Sequence, residues 1–135
     1  MSFVERYQGN TLLVSARLKI SYSMTQHVPN INKLLTSPDL TADELASIYS
    51  NEVLKIVDRD ELTADLEQIF TFYEQILLCR EMDLCDAEVT AQFFDVDAKN
   101  YILTFYPYIC NIREQWNNPK QYERLVSFYV RGNYG

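Results

Sequence analysis

Residues 70–79 read FTFYEQILLC, and this stretch carries a single charged side chain, that of Glu74. It belongs to a longer pattern in which apolar residues recur at intervals of four and three: Leu62, Leu66, Ile69, Tyr73 and Ile76. Such spacing predicts an α-helix, and a helix that is apolar nearly all round is buried on most of its sides. We therefore expect residues 60–82 to form the central helix of the fold.

Helical periodicity extends along most of the chain, and no convincing strand pattern interrupts it. The sequence TADE at 41–44 forms a capping box, and the Asn-Pro pair at 118–119 is typical of a helix start. Proline should bend the first helix at Pro29 and kink a later one at Pro107. We predict an all-α fold, with residues 1–135 forming a single-domain bundle of about five to six helices. The predicted helices span 10–35, 41–57, 60–82, 86–94, 97–117 and 118–131.

The composition is that of a globular protein, with 47% hydrophobic and 23% charged residues. The first ten residues show no secretory signal pattern, and the longest uncharged apolar stretch, residues 101–110, is about half of a membrane span. Cys79, Cys85 and Cys110 form an odd set without paired spacing, which favours free thiols in a reducing compartment. We expect a soluble, cytoplasmic protein with no membrane span.

The net charge of −7 is unevenly distributed, because the segment from Asp39 to Asp97 holds 16 acidic and 3 basic residues. An acidic middle segment disfavours direct nucleic-acid binding and favours a basic protein partner. The same residues can also form a solvated helix face that serves only solubility. The candidate partner-surface residues are Asp58, Asp60, Glu61, Asp65 and Glu67.

No catalytic, cofactor or metal motif is complete. His27 is the only histidine, and the three cysteines lack the spacing of a zinc site. DVDAKN at 95–100 begins like a calcium loop, but Lys99 occupies a ligand position and Asn100 replaces the turn glycine. A helix-capping role for Asp95 or Asp97 is a sufficient explanation of this sequence. We predict a protein without enzymatic activity and without a cofactor or a metal.

Glu74 flanks the apolar stripe of its helix, and a buried carboxylate needs a cation or several hydrogen-bond donors. Arg113 flanks the other strongly apolar helix, so we predict a structural Glu74–Arg113 ion pair, with Arg80 as the alternative partner. In the alternative of a small-ligand pocket between helices, Glu74, Arg113, Tyr73 and Tyr106 are the polar groups to inspect.

Several of these features occur together, in order, over residues 60–130. They are Phe72, Tyr73, Glu74 and Ile76, then Asp86, Phe93 and Phe94, Pro107 and Arg113, and finally Asn118, Pro119 and Tyr122. This arrangement resembles an uncharacterised bacterial family of all-helical domains of unknown function. The resemblance implies a helical fold and no particular activity. Many members of that family carry transmembrane helices, which this sequence does not show.

The sequence favours a non-enzymatic, cytoplasmic helical interaction or regulatory module that binds a protein partner or itself as a homo-oligomer. Two alternatives stay open. One is an acidic inhibitor of the phage or mobile-element type, in which the middle segment imitates nucleic acid. The other is a small-ligand-binding helical bundle.

Overall fold

The structure, a computed structural model, describes residues 10–132, and every regular element in that range is helical. The five longer helices are α1 (Thr11–Leu35), α2 (Ala42–Arg59), α3 (Thr63–Glu81), α4 (Ala87–Thr104) and α5 (Tyr106–Gln115). The C-terminal helix consists of an α-helical part, Glu123–Leu125, and a π-helical part, Val126–Val130. The predicted all-α bundle is confirmed.

Helix α3 lies at the centre of the bundle, where it contacts α1, α4 and the C-terminal helix. Its buried side chains point in several directions around the helix: Leu66, Ile69, Phe70, Phe72, Tyr73, Ile76 and Leu77. Each large apolar side chain that leaves water contributes about 1.5–3 kcal/mol. The apolar residues of the FTFYEQILLC stretch therefore form the middle of the core.

Side-chain caps begin three of the helices, because the first N–H groups of a helix lack partners within it. The Asn10 side chain accepts hydrogen bonds from two N–H groups of α1. At α2 the predicted capping box is present, since Thr41 and Glu44 bond each other's backbone N–H groups. Asp86 accepts the N–H of Val89 at 3.0 Å and begins α4.

The helix boundaries differ from the prediction around the two later prolines. The chain is helical from 87 to 104 without the predicted interruption near residue 95, and it breaks at Phe105 instead. Pro107 then lies in the first turn of α5 and not in the middle of a kinked helix. Proline has no N–H to donate to the preceding turn, so the helix ends before it and a new one begins.

The last helix begins later than residue 118. Asn118 accepts the N–H of Lys120 at 3.2 Å in a turn, and Tyr122 adopts a left-handed conformation with φ of 58°. The last helix begins only at Glu123. By contrast, α1 runs through Pro29 to Leu35.

The structure joins Cys79 to Cys85 as a disulfide, with Cα atoms 5.6 Å apart, and leaves Cys110 free and exposed. The prediction of three free thiols is therefore wrong for two of them. Asp83 has a φ of 56° just after α3, and Leu84 donates its N–H to the Cys79 carbonyl at 2.9 Å. This reversal of the chain brings together two cysteines whose spacing in the sequence did not indicate a pair. The argument that free thiols indicate a reducing compartment therefore loses its premise.

Candidate functional site

Glu74 lies between α3 and the start of the C-terminal helix. Its side chain is 18% exposed, and Oε1 accepts the backbone N–H of Leu125 at 3.1 Å. The Arg124 guanidinium lies 3.9 Å from Oε2. Burial raises the pKa of Glu74 above its ordinary value, although the Leu125 N–H and Arg124 act in the opposite direction. A side chain of one helix thus caps the start of another.

The predicted Glu74–Arg113 pair does not form, and each residue has other partners. Arg113 donates from Nε to the carbonyl of Gln121 at 2.9 Å and from Nη2 to Glu123 at 3.2 Å. Residues 121–125 offer acceptors to the arginine and a backbone donor to the carboxylate. The pairing prediction was wrong because this segment satisfies both charges separately.

Arg80, the alternative partner, belongs to a different cluster. Its Nη2 donates to Asp95 at 2.7 Å, and its Nε donates to Thr90 at 2.7 Å. The Tyr129 hydroxyl donates to the same Asp95 oxygen at 2.5 Å, and burial raises the pKa of that hydroxyl. The cluster connects α3, α4 and the C-terminal helix.

The four groups predicted for a ligand pocket are not brought together. Glu74 borders an open depression of about 270 Å³, whose lining includes neither Arg113 nor Tyr73 nor Tyr106. Tyr73 is buried in the core, with 1% of its surface exposed. The fold therefore does not form a polar pocket from Glu74 and Arg113, and a structural role for Glu74 stays a prediction.

Two of the five predicted partner-surface carboxylates are engaged within the chain. Asp60 accepts the Ser23 hydroxyl and lies 3.0 Å from His27 Nε2. The Ser23 hydrogen bond is the main cause that lowers the pKa of Asp60. Asp65 pairs with Lys19 at 3.1 Å. Both carboxylates stabilise the contact of α1 with the α2–α3 region.

The other three predicted partner-surface residues differ in exposure. Asp58 and Glu61 are exposed, whereas Glu67 is half-buried. Burial and then the charge of Glu67 raise the pKa of the Tyr108 hydroxyl. Glu61 lies in the turn after α2 with a φ of 52°, and its carbonyl accepts a hydrogen bond from Lys19 Nζ at 2.9 Å. A role for these residues in partner binding stays a prediction.

Large apolar side chains are exposed along α4 and in the turn before it. The exposed fractions are 72% for Leu84, 43% for Val89, 52% for Phe93 and 71% for Val96. The last three are spaced by four and three, which places them on one face of the helix. We call these four residues the α4 surface.

The segment around the α4 surface is acidic. Residues 81–98 contain six acidic residues and no lysine or arginine. Glu81, Asp83, Asp86 and Glu88 are all exposed, and they precede or begin α4. The apolar row of the α4 surface and its acidic neighbours can both be read from the sequence. The opposite face of α4, with Phe94 among its buried residues, is also apolar, however. Periodicity alone does not tell which face is the outer one.

A profile of the family described as "Domain of unknown function (DUF4760)" matches residues 20–131 of the chain. The chain belongs to this family. The match covers the bundle from within α1 to the end of the C-terminal helix and confirms the predicted resemblance. No curated protein and no solved structure matches the chain.

Two features are absent from residues 10–132, the part of the chain that the structure describes. None of its helices combines the length and the apolar character needed to cross a membrane. Within the same residues, no group of three or more His, Cys, Asp or Glu side chains is placed to hold a metal ion.

Proposed function

We propose that this DUF4760 domain is a non-enzymatic helical interaction module that binds a basic amphipathic helix of a partner protein through the α4 surface. The observation that carries the proposal is the exposed apolar row of Val89, Phe93 and Val96 within an acidic segment. Monomeric proteins rarely leave large contiguous apolar patches in water, and such patches commonly mark interaction sites.

The geometry of the row favours a helical partner. Residues spaced by four and three form a ridge that packs into the groove of a second helix. An incoming helix would cover Phe93, and large aromatic side chains carry much of the binding energy of protein interfaces. Because the neighbouring side chains are acidic, lysine or arginine residues at the edges of the partner helix would be attracted.

The test is affinity purification of the tagged full chain from host lysate, with the double substitution Phe93→Asp and Val96→Asp and with Leu12→Asp as the matched control. Leu12 is also an exposed apolar residue, at 64%, but it lies in the first turn of α1. An acidic residue there is favourable to the helix dipole. We expect the same cellular protein to be retained by wild type and by the control, and to be lost with the double variant.

Salt and competition experiments refine the same purification. A partner held partly by exposed charges should be released as ionic strength rises, since such charges are screened. Competition by DNA would favour the nucleic-acid-mimic alternative over a basic helix. That alternative has less support, because Asp60 and Asp65 already have partners within the chain. A partner retained equally by the double variant would contradict our proposal.

Self-association through the same surface is the other outcome to be measured. In sedimentation velocity, a homo-oligomer would appear with wild type and with Leu12→Asp, and would dissociate with the double variant. That result would mean that the α4 surface binds a second copy of the chain and not a different protein.

We also propose a cytoplasmic location, in which Cys79 and Cys85 would be reduced although the structure joins them as a disulfide, so the redox state of the pair tests the location. In a reducing compartment the two would be present mainly as thiols. Acid quenching of host cells, followed by alkylation and mass spectrometry, gives the proportion of each form. A complete disulfide in cells would contradict the cytoplasmic location.

A further inference from the structure

A groove of about 520 Å³ lies between α1 and α4 and extends to α2, away from Glu74 and apart from the side chains of the α4 surface. Its wall is largely apolar and includes Ile20, Met24, Ile31, Leu35 and Phe105. The volume lies within the range of about 300–1,000 Å³ that is common for small-molecule sites. The groove is therefore large enough to hold a ligand.

The groove follows α1 for most of its length. Arg17 and Leu35 both line it, and a rise of about 1.5 Å per residue places them about 27 Å apart along α1. Most of the lining along this length is apolar, so an extended hydrocarbon chain would cover it from Ile20 to Leu35.

One part of the groove carries two opposite charges. Arg17 Nη2 lies 3.5 Å from Asp97 Oδ2, and their side chains are 36% and 45% exposed. They are the two charged residues among those that line the groove in the described part of the chain. The Tyr101 hydroxyl lies beside Arg17, and burial raises its pKa, so it remains an uncharged hydrogen-bonding group at neutral pH.

The charge pair selects the head group of the ligand. A fatty acid would gain contact with Arg17, but its carboxylate would be repelled by Asp97. A head group that contains an anion and an ammonium group satisfies both side chains at once. Separation of these two partly exposed charges costs little, because ion pairs near the surface contribute little to stability.

We propose that this groove binds a single-chain zwitterionic amphiphile of the lysophosphatidylethanolamine class. The acyl chain lies along the apolar wall, the phosphate accepts hydrogen bonds from Arg17, and the ammonium group donates to Asp97. The ligand is the free monomer and not a lipid in a bilayer. This binding activity is separate from the helix-binding function, since the α4 surface residues do not line the groove.

The test is calorimetric titration of the full chain with palmitoyl lysophosphatidylethanolamine below its critical micelle concentration. We expect saturable binding of one molecule per chain. Arg17→Gln and Asp97→Asn should each weaken it by about tenfold, which corresponds to about 1.4 kcal/mol. Both side chains are only partly buried, so circular dichroism spectra and melting temperatures of the variants should stay close to those of wild type.

Palmitate and the double variant of the α4 surface are the controls. Wild type should bind palmitate more weakly than the zwitterion, and Asp97→Asn should bind palmitate more tightly, because the repelling carboxylate is gone. The Phe93→Asp, Val96→Asp variant should keep its amphiphile affinity while it loses a protein partner, so failures of the two proposals are distinguishable. Absence of saturable binding, indifference to both charge substitutions, or binding to phosphatidylethanolamine vesicles alone would overturn the proposal.

Discussion

Replacement of Glu74 separates the two ways in which its carboxylate can act. In Glu74→Ala the Leu125 N–H loses its acceptor, and an unsatisfied buried donor costs about 1–3 kcal/mol. In Glu74→Gln the side-chain carbonyl can still accept that N–H, while the charge is removed. Because burial raises the pKa of Glu74, the charge itself is unfavourable in the folded state. We therefore expect the glutamine variant to be close to wild type in stability.

The assay is urea unfolding at pH 7, followed by circular dichroism at the helical band. Glu74→Ala should lower the free energy of unfolding by about 1–3 kcal/mol, which lowers the melting temperature by roughly 3–15 °C in a domain of this size. If the glutamine variant lost as much stability as the alanine variant, the charge interaction with Arg124 would be the main contribution of Glu74 to stability. An unchanged alanine variant would refute the capping role.

The pH dependence of stability provides an independent check that the charge of Glu74 is unfavourable in the folded state. The folded-state pKa of Glu74 lies above its unfolded value, so the folded protein takes up a proton first as the pH falls. Wild type should therefore gain stability relative to Glu74→Gln as the pH falls through the folded pKa, until the unfolded value of 4.5 is reached. The opposite trend would mean that Arg124 and the Leu125 N–H together outweigh desolvation.

Three further predictions concern other parts of the bundle. Tyr129→Phe loses the hydrogen bond to Asp95, and urea unfolding should show a loss of about 1–2 kcal/mol; an unchanged value would contradict it. The Ser23 hydrogen bond lowers the pKa of Asp60, so its stabilising contribution is present above the ordinary value of 3.8 and is lost as the pH falls through the folded pKa. Below about pH 4, wild type should therefore lose stability more steeply than Asp60→Asn; parallel curves would be evidence against this. Thiol titration of the oxidised native protein should find one reactive group, Cys110, and three after unfolding with reductant.

The central position of α3 was predictable, because a helix that is apolar all round has few places other than the middle of a bundle. The partner of Glu74 was not predictable in the same way. Sequence spacing identifies which residues share a face of one helix, but it does not give the offset between two helices. The donor to Glu74 is the backbone N–H of Leu125. That group is free for capping because the last helix begins after Tyr122, and nothing in the Asn-Pro pair at 118–119 indicates such a late start.

The α4 surface and the disulfide show two other limits of sequence interpretation. Helix α4 has apolar residues on two faces, and its packing against α3 and the C-terminal helix determines that Phe94 is buried and Phe93 is exposed. The pairing of Cys79 with Cys85 depends on the positive φ of Asp83, which aspartate adopts only occasionally. The acidic cluster at 58–67 was visible in the sequence, but the intrachain partners of Asp60 and Asp65 come from α1, more than thirty residues earlier.

The capping of the C-terminal helix by Glu74 also imposes an order on folding. That helix spans only residues 123–130, and isolated helices shorter than about 12–15 residues are marginal in water. Its stabilising partners, Glu74 and Asp95, lie 51 and 34 residues earlier in the chain. The helix should therefore form after α3 and α4 have assembled, as the final step on the folding pathway. Substitutions such as Tyr129→Phe should then accelerate unfolding and leave the folding rate nearly unchanged.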